Sequence, residues 1–289
     1  MTVELVVPAR CNLGEGPLWD HRNRTLVWIE ITPGQVFRFD PRTGENRRVY
    51  EAAAPVGCVA LRASGGLVVA AGLSLLALDD DGGSRQLSTL TEEPALHQLN
   101  DGTIDREGRL VIGTVASTWD TPTGSLYGVD RDHAATRFAT GLTVSNGIDW
   151  SPDGATMYFA DSATGRIDAF VYDERTGTPS ERRPLARIEP ADGVPDGLCV
   201  DSEGCVWVAL YGGSAVRCYS ASGEQVDEIR LPASQITSCA FGGDDLADLY
   251  ITTCTEAFTP AQLDAEPLAG SVFRTRPGAR GLEANLFGG

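Results

Sequence analysis

Pro195-Asp196-Gly197-Leu198-Cys199-Val200-Asp201, then Ser202-Glu203-Gly204, then Cys205-Val206-Trp207-Val208-Ala209 is the stretch on which the fold turns. It opens on an acidic Gly-containing motif and runs through a short apolar segment. It reverses at a Gly turn and returns as an apolar run with a β-branched and aromatic centre, the composition of a paired strand. Residues 23–29, 64–70, 107–113, 153–159 and 245–251 repeat that turn-plus-apolar pattern. Centred on Trp28, Val68, Val111, Tyr158, Trp207 and Tyr250, the repeats are 40, 43, 47, 49 and 43 residues apart. A second strand-like run follows each one, at 36–40, 73–78, 125–130, 166–170, 215–219 and 271–274. Turn pairs Thr43-Gly44, Thr176-Gly177 and Ser222-Gly223 mark where further hairpins reverse.

Six units of this length, each with several short strands, predict an all-β chain folded as a six-bladed β-propeller. A pair of unrelated β-sandwiches would not repeat with such regularity. Helical periodicity is nearly absent, with room for one turn at 260–266. No linker or composition shift interrupts the chain, so residues 1–289 are expected to form one propeller domain.

Of the 289 residues 42% are apolar, enough for a sizeable core, and the formal net charge is −17 with a pI near 4.5. A polyanion is repelled by that charge, which argues against nucleic acid and against an acidic membrane surface as partners. Only His21, His97 and His133 are present, too few for a multi-histidine zinc cage and poor support for a Ser-His-Asp triad. The seven Cys form no C-x-x-C pair, and five of them sit inside apolar runs, as buried thiols in a reducing compartment do. The N-terminus has no basic region leading into an apolar stretch, and no run approaches 18 apolar residues, so the expected compartment is the cytoplasm.

Four segments stand at one phase of the repeat: Gly14-Glu15-Gly16-Pro17, Leu99-Asn100-Asp101-Gly102, Ser145-Asn146-Gly147 and Pro195-Asp196-Gly197. Their polar residues precede the strand centres by 11 to 13 residues. Equal phase in a circular repeat is equal position in space. These segments should therefore be the innermost strands, beginning at one mouth of the channel and presenting Glu15, Asn100, Asp101, Asn146 and Asp196 there. The second and sixth repeats offer Val56/Gly57 and Thr237/Ser238 instead. Carboxylates with a carboxamide oxygen are hard ligands that suit Ca²⁺, Mg²⁺ or Mn²⁺ and that Zn²⁺ accepts. Taken singly, each motif is an ordinary turn; the shared phase is the signal. Asp79-Asp80-Asp81 and Asp244-Asp245 are out of phase and read as solvated turns.

These motifs also resemble the SMP-30/gluconolactonase/LRE family of sugar lactonases over almost the whole chain. The resemblance rests on Leu13–Trp19, Asn100-Asp101-Gly102 with Asp105 and Gly108-Arg109, residues 145–151, residues 195–201 and Thr237–Gly243. It implies a six-bladed propeller with one divalent cation, Ca²⁺ or Zn²⁺ ahead of Mn²⁺ or Mg²⁺, held by Glu15, Asn146 and Asp196, with Asn100 beside it against substrate or water. The implied partner is a small-molecule sugar lactone; the expected assembly is a monomer or small homo-oligomer. The implied reaction is lactone hydrolysis, with Asp196 as general base and Asn100 orienting the water or a ring hydroxyl. Gln98, Asp101, Ser117 and Trp119 are the candidate pocket walls. Two positions depart from the family: Gln98 stands where many members have a sugar-binding Arg, and the segment with Ser117 and Thr118 lacks a substrate-contacting Glu. Those departures bear on the substrate. The alternatives are a non-enzymatic calcium- or sugar-binding propeller, and a hydrolase of a related ester such as a modified-sugar lactone or an organophosphate.

Overall fold

Blade five shows how each unit is built. Val194–Val200 pairs antiparallel with Val206–Tyr211, which pairs with Ala215–Tyr219, which pairs with Gln225–Arg230. The first turn is made by Asp201, whose carboxylate accepts the backbone N–H of Glu203 (3.0 Å) and Cys205 (2.9 Å) and the indole N–H of Trp207 (2.8 Å). Asp105 does the same in blade three, accepting from Glu107 and Arg109 N–H, and Asp20 does so in blade one, accepting from Arg22 and Asn23. A short acidic side chain that satisfies two turn amides is why Asp recurs at the bottom of the innermost strands.

In the computed structural model, which describes residues 2–289, six four-stranded sheets are arranged in a ring, a six-bladed β-propeller. The innermost strands are Gly14–Asp20, Val56–Leu61, His97–Ile104, Ser145–Trp150, Val194–Val200 and Ile236–Gly242. All run in the same direction along the channel. The middle strands are buried on both faces, Thr25–Glu30 being nearly continuous core, whereas the outermost strand Glu45–Glu51 is mostly exposed. Apolar clusters lie between neighbouring blades, as where Trp207 of blade five meets Phe241, Ile251 and Phe273 of blade six. Pro260–Ala265 forms the one short α-helix among the described residues, where a single turn was expected.

Two features of closure were not anticipated. The outermost strand of blade six, Glu4–Val7, comes from the other end of the chain and pairs with Val272–Thr275. The C-terminal segment crosses the far end of the channel: Gly281 N–H donates to Leu246 O, Asn285 Nδ2 to Ile104 O, Phe287 N–H to Leu61 O and Gly288 N–H to Gly108 O. Phe287 is wholly buried between blades two and three. All seven Cys are free thiols. No helix is long and apolar enough to cross a membrane.

Candidate metal centre

Each strand that carries a candidate ligand breaks its register at the motif. In blade three Leu99 pairs with Thr114 and Gly102 with Ile112, so Asn100 and Asp101 together oppose Gly113. Likewise Asn146 and Gly147 oppose Ala160, Asp196 and Gly197 oppose Ala209, and Gly16 and Pro17 oppose Trp28 just after Glu15. A bulge of two residues against one turns side chains out of the regular pleat, here toward the channel axis. The repeat puts these residues at one phase, and the bulge is the local device that aims them.

The remaining two blades are silent for physical reasons. A Cβ at Gly57 would collide with the carbonyl oxygen of Leu99 and lie 2.8 Å from Asn100 Cα, so blade two must carry glycine to let Asn100 in. In blade six Thr237 turns its hydroxyl away to donate to Gly14 O at 2.6 Å, fastening that blade to the strand that carries Glu15.

Glu15, Asn100, Asn146 and Asp196 are all buried, at 8%, 3%, 8% and 7% exposure. Asn146 Nδ2 donates to Ser162 Oγ at 2.8 Å, which turns its carbonyl oxygen toward Asn100. Asn100 Nδ2 donates to that oxygen at 2.8 Å and to Ser145 O at 2.8 Å. Glu15 Oε2 accepts from Gly16 N–H at 2.7 Å. Asn100 Oδ1 and Asp196 Oδ1 are buried and accept no hydrogen bond from the described residues. Two orphaned buried oxygens, with carboxylates beside them, are acceptors that only a cation or water can satisfy. The donor set fits a hard divalent cation held by Glu15, Asn146 and Asp196, with Asn100 adjacent.

The electrostatics agree. Burial, and then the neighbouring Asp101 carboxylate, pushes Glu15 up to about 8. Burial raises Asp101 to about 7 and Asp149 to about 6. Asp196 is held well above the usual carboxylate range by burial first, then by Glu15 and Asp101. These acids oppose one another's ionisation, and a bound cation reverses that logic.

Asp101 and Asp149 line a cavity of about 330 Å³ that continues along the axis from Gly16 and Ser238 to a floor made by residues 282–285. Asp101 therefore faces the channel below the ring. Asp149 accepts Val200 N–H at 2.7 Å. Gln98 stands near the mouth end of its strand with a buried Nε2 that has no partner. Ser117 and Trp119 lie on the mouth-side loop after Leu110–Ala116. His97 is buried and hydrogen-bonded to Glu93 and Thr123. A separate cluster, Asp201, Cys205 and Cys218, has its ligand atoms within 4.8 Å of one another, but the Asp201 carboxylate is already occupied by the turn it caps. Ser162 and Asp149 were not singled out by sequence. Asp149 lies within the 145–151 motif, three residues after Asn146, whereas nothing marks Ser162 in a short 3₁₀ turn.

Residues 13–255 match a family model described as the SMP-30/Gluconolactonase/LRE-like region. Regucalcin of Xenopus laevis is 36% identical over 295 residues, covering 99% of this chain and 98% of that protein. A luciferin-regenerating enzyme superposes with a TM-score of 0.92 at 29% identity, covering 99% of this chain and 98% of the other. A protein from Agrobacterium tumefaciens described as a calcium-binding protein, regucalcin, does so with a TM-score of 0.94 at 26% identity, covering 99% and 97%.

Proposed function

This chain belongs to the SMP-30/gluconolactonase/LRE-like family, and from that premise we propose that it is a metal-dependent lactonase that opens a sugar lactone to its acid. The observation that carries the reading is the buried ring of Glu15, Asn100, Asn146 and Asp196, with two oxygens left without partners. A divalent cation held by Glu15, Asn146 and Asp196 would supply Lewis-acid polarisation of the lactone carbonyl.

The chain's own groups have separable tasks. Asn146, fixed by Ser162, and Glu15 hold the ring in shape. Asp196 accepts the proton of the attacking water at Oδ1, the oxygen that no protein donor uses. Asn100 offers Oδ1 to that water or to a ring hydroxyl while its amide is anchored on Ser145 and Asn146. Gln98 offers a free amide N–H to a substrate oxygen. The deep placement of the ring excludes bulk water and strengthens each of these contacts.

The test is acid release from aldono-1,4- and 1,5-lactones by metal-stripped protein with Ca²⁺, Mn²⁺, Mg²⁺ or Zn²⁺ restored. Turnover that returns with a metal supports the reading. Tight metal binding without turnover on any lactone supports the second reading, a calcium-binding propeller, which the description of the Agrobacterium relative as a calcium-binding protein favours.

A further inference from the structure

Outside the ligand ring a buried polar chain ties two mouth-side segments together. Glu93, on the segment entering blade three, is buried, and its carboxylate accepts from Tyr127 Oη at 2.6 Å and Thr114 Oγ1 at 3.1 Å. Its Oε2 also lies 2.6 Å from His97 Nδ1, and His97 Nε2 lies 3.0 Å from Thr123 Oγ1. Thr123 closes loop 117–123, whose first residue is fastened to the same entering segment by Ser117 N–H to Leu96 O at 2.9 Å. Burial alone would raise Glu93, but the Tyr127 and His97 hydrogen bonds outweigh it, so the carboxyl stays ionised.

The loop so held carries Trp119 in a left-handed backbone conformation, φ 59°, which an aromatic residue rarely adopts without a surrounding that enforces it. Its indole is half-buried. It rests on the cluster that contains Leu13, Ile31 and Val56, at the mouth ends of blades one and two. Trp119 thus reaches from blade three toward the strand that carries Glu15. The neutral Gln98, Ser117 and Thr118 share this wall.

Resting on the lactonase reading above, we propose that Trp119 is the platform on which the substrate ring lies, that Glu93, His97 and Thr123 position it, and that the substrate is an uncharged lactone with a C–H-rich ring face. An indole stacks on such a face and offers nothing to a second carboxylate or a phosphate. The neutral wall gives those anions no counter-charge either, above a ring that is itself acidic.

The experiment compares wild type, W119F, W119A, H97Q and E93Q on a neutral lactone, its 6-deoxy analogue and a lactone carrying a free carboxylate. Emission from Tb³⁺ bound in the ligand ring and excited through tryptophan is read in parallel. Wild type should prefer the neutral pair. W119A should raise KM about tenfold, a loss typical of one apolar contact, with kcat little changed, and W119F should recover part of it. H97Q and E93Q should shift KM in the same direction, and all four variants should bind Tb³⁺ as tightly as wild type with weaker sensitised emission. An unchanged KM in W119A, or preference for the carboxylated lactone, overturns the proposal while leaving the lactonase reading intact. If wild type turns over no lactone, the lactonase reading fails instead. Emission then judges the position of Trp119 alone, and equal emission from wild type and W119F overturns it.

Discussion

Asn100 Nδ2 lies 2.8 Å from Asn146 Oδ1, so carboxamides from two successive blades are joined across the blade boundary, and the far side of Asn146 is pinned by Ser162. The candidate ligand oxygen of Asn146 is therefore oriented by Ser162 on the opposite side of its carboxamide. Removing Ser162 leaves Asn146 free to turn its NH₂ inward. S162A is expected to weaken divalent-metal binding by about tenfold, the usual range for losing a group that orients a ligand. Calorimetric titration of metal-stripped protein measures this, and an affinity within twofold of wild type would refute the orienting role.

Asp196 sets function against stability. Its carboxylate is buried among Glu15, Asp101 and Glu256, which all resist its ionisation. D196N removes that repulsion, keeps the shape and deletes the proton acceptor. The variant should lose at least about 100-fold in lactone turnover, the scale of a general-base contribution. Its metal-free form should melt higher than metal-free wild type at pH 8. Thermal scans with and without metal, beside rate measurements, separate the two effects. A D196N protein with full turnover would remove Asp196 from the mechanism.

The same repulsion fixes the sign of a pH effect. Glu15, Asp101 and Asp149 titrate near 8, 7 and 6 in the folded chain, all above the ordinary carboxylate value. Between pH 5 and 8 the folded metal-free protein therefore binds protons that the unfolded chain does not. Stability from these groups is fully present at low pH and lost as pH rises through 6 to 8. Metal-free protein should melt roughly 5–10 °C lower at pH 8 than at pH 5.5. Saturating metal, which binds only the folded ring, should abolish most of that fall. A metal-free melting temperature that rises over this interval would show that these carboxyls are not raised.

The sequence made the ring legible because a repeat turns sequence phase into spatial position. Glu15, Asn100, Asn146 and Asp196 each lie in the mouth-side half of an innermost strand, so one blade locates the others. What stayed hidden lies outside the repeat. Ser162 and Glu93 act through single side-chain contacts in irregular segments, so no periodicity marks them. Gly57 stands at the same phase of the repeat, but only the approach of Asn100 to it explains why that position is glycine. The closing strand Glu4–Val7 has only four residues, and its partner lies about 270 positions away, a distance over which local pattern carries no signal.

The C-terminal crossing is the least local of these features, and its energetics can be tested directly. Phe287 is fully buried against a cluster that includes Ala60, Ile104 and Leu110, and its N–H donates to Leu61 O at 2.7 Å. Asn285 fastens the same segment to Ile104 O at 2.9 Å. Together these hold residues 282–285 as the floor of the axial cavity. F287A should cost about 3–5 kcal/mol through lost burial and an unfilled cavity between blades two and three. The ligand ring stands at the opposite end of the same strands, so metal affinity of the folded fraction should change little. Denaturant unfolding measures the first quantity and metal titration at low temperature the second. A loss below 1 kcal/mol would mean that the crossing segment is dispensable to the fold, and an unchanged stability with lost metal binding would mean that the floor shapes the ring from below.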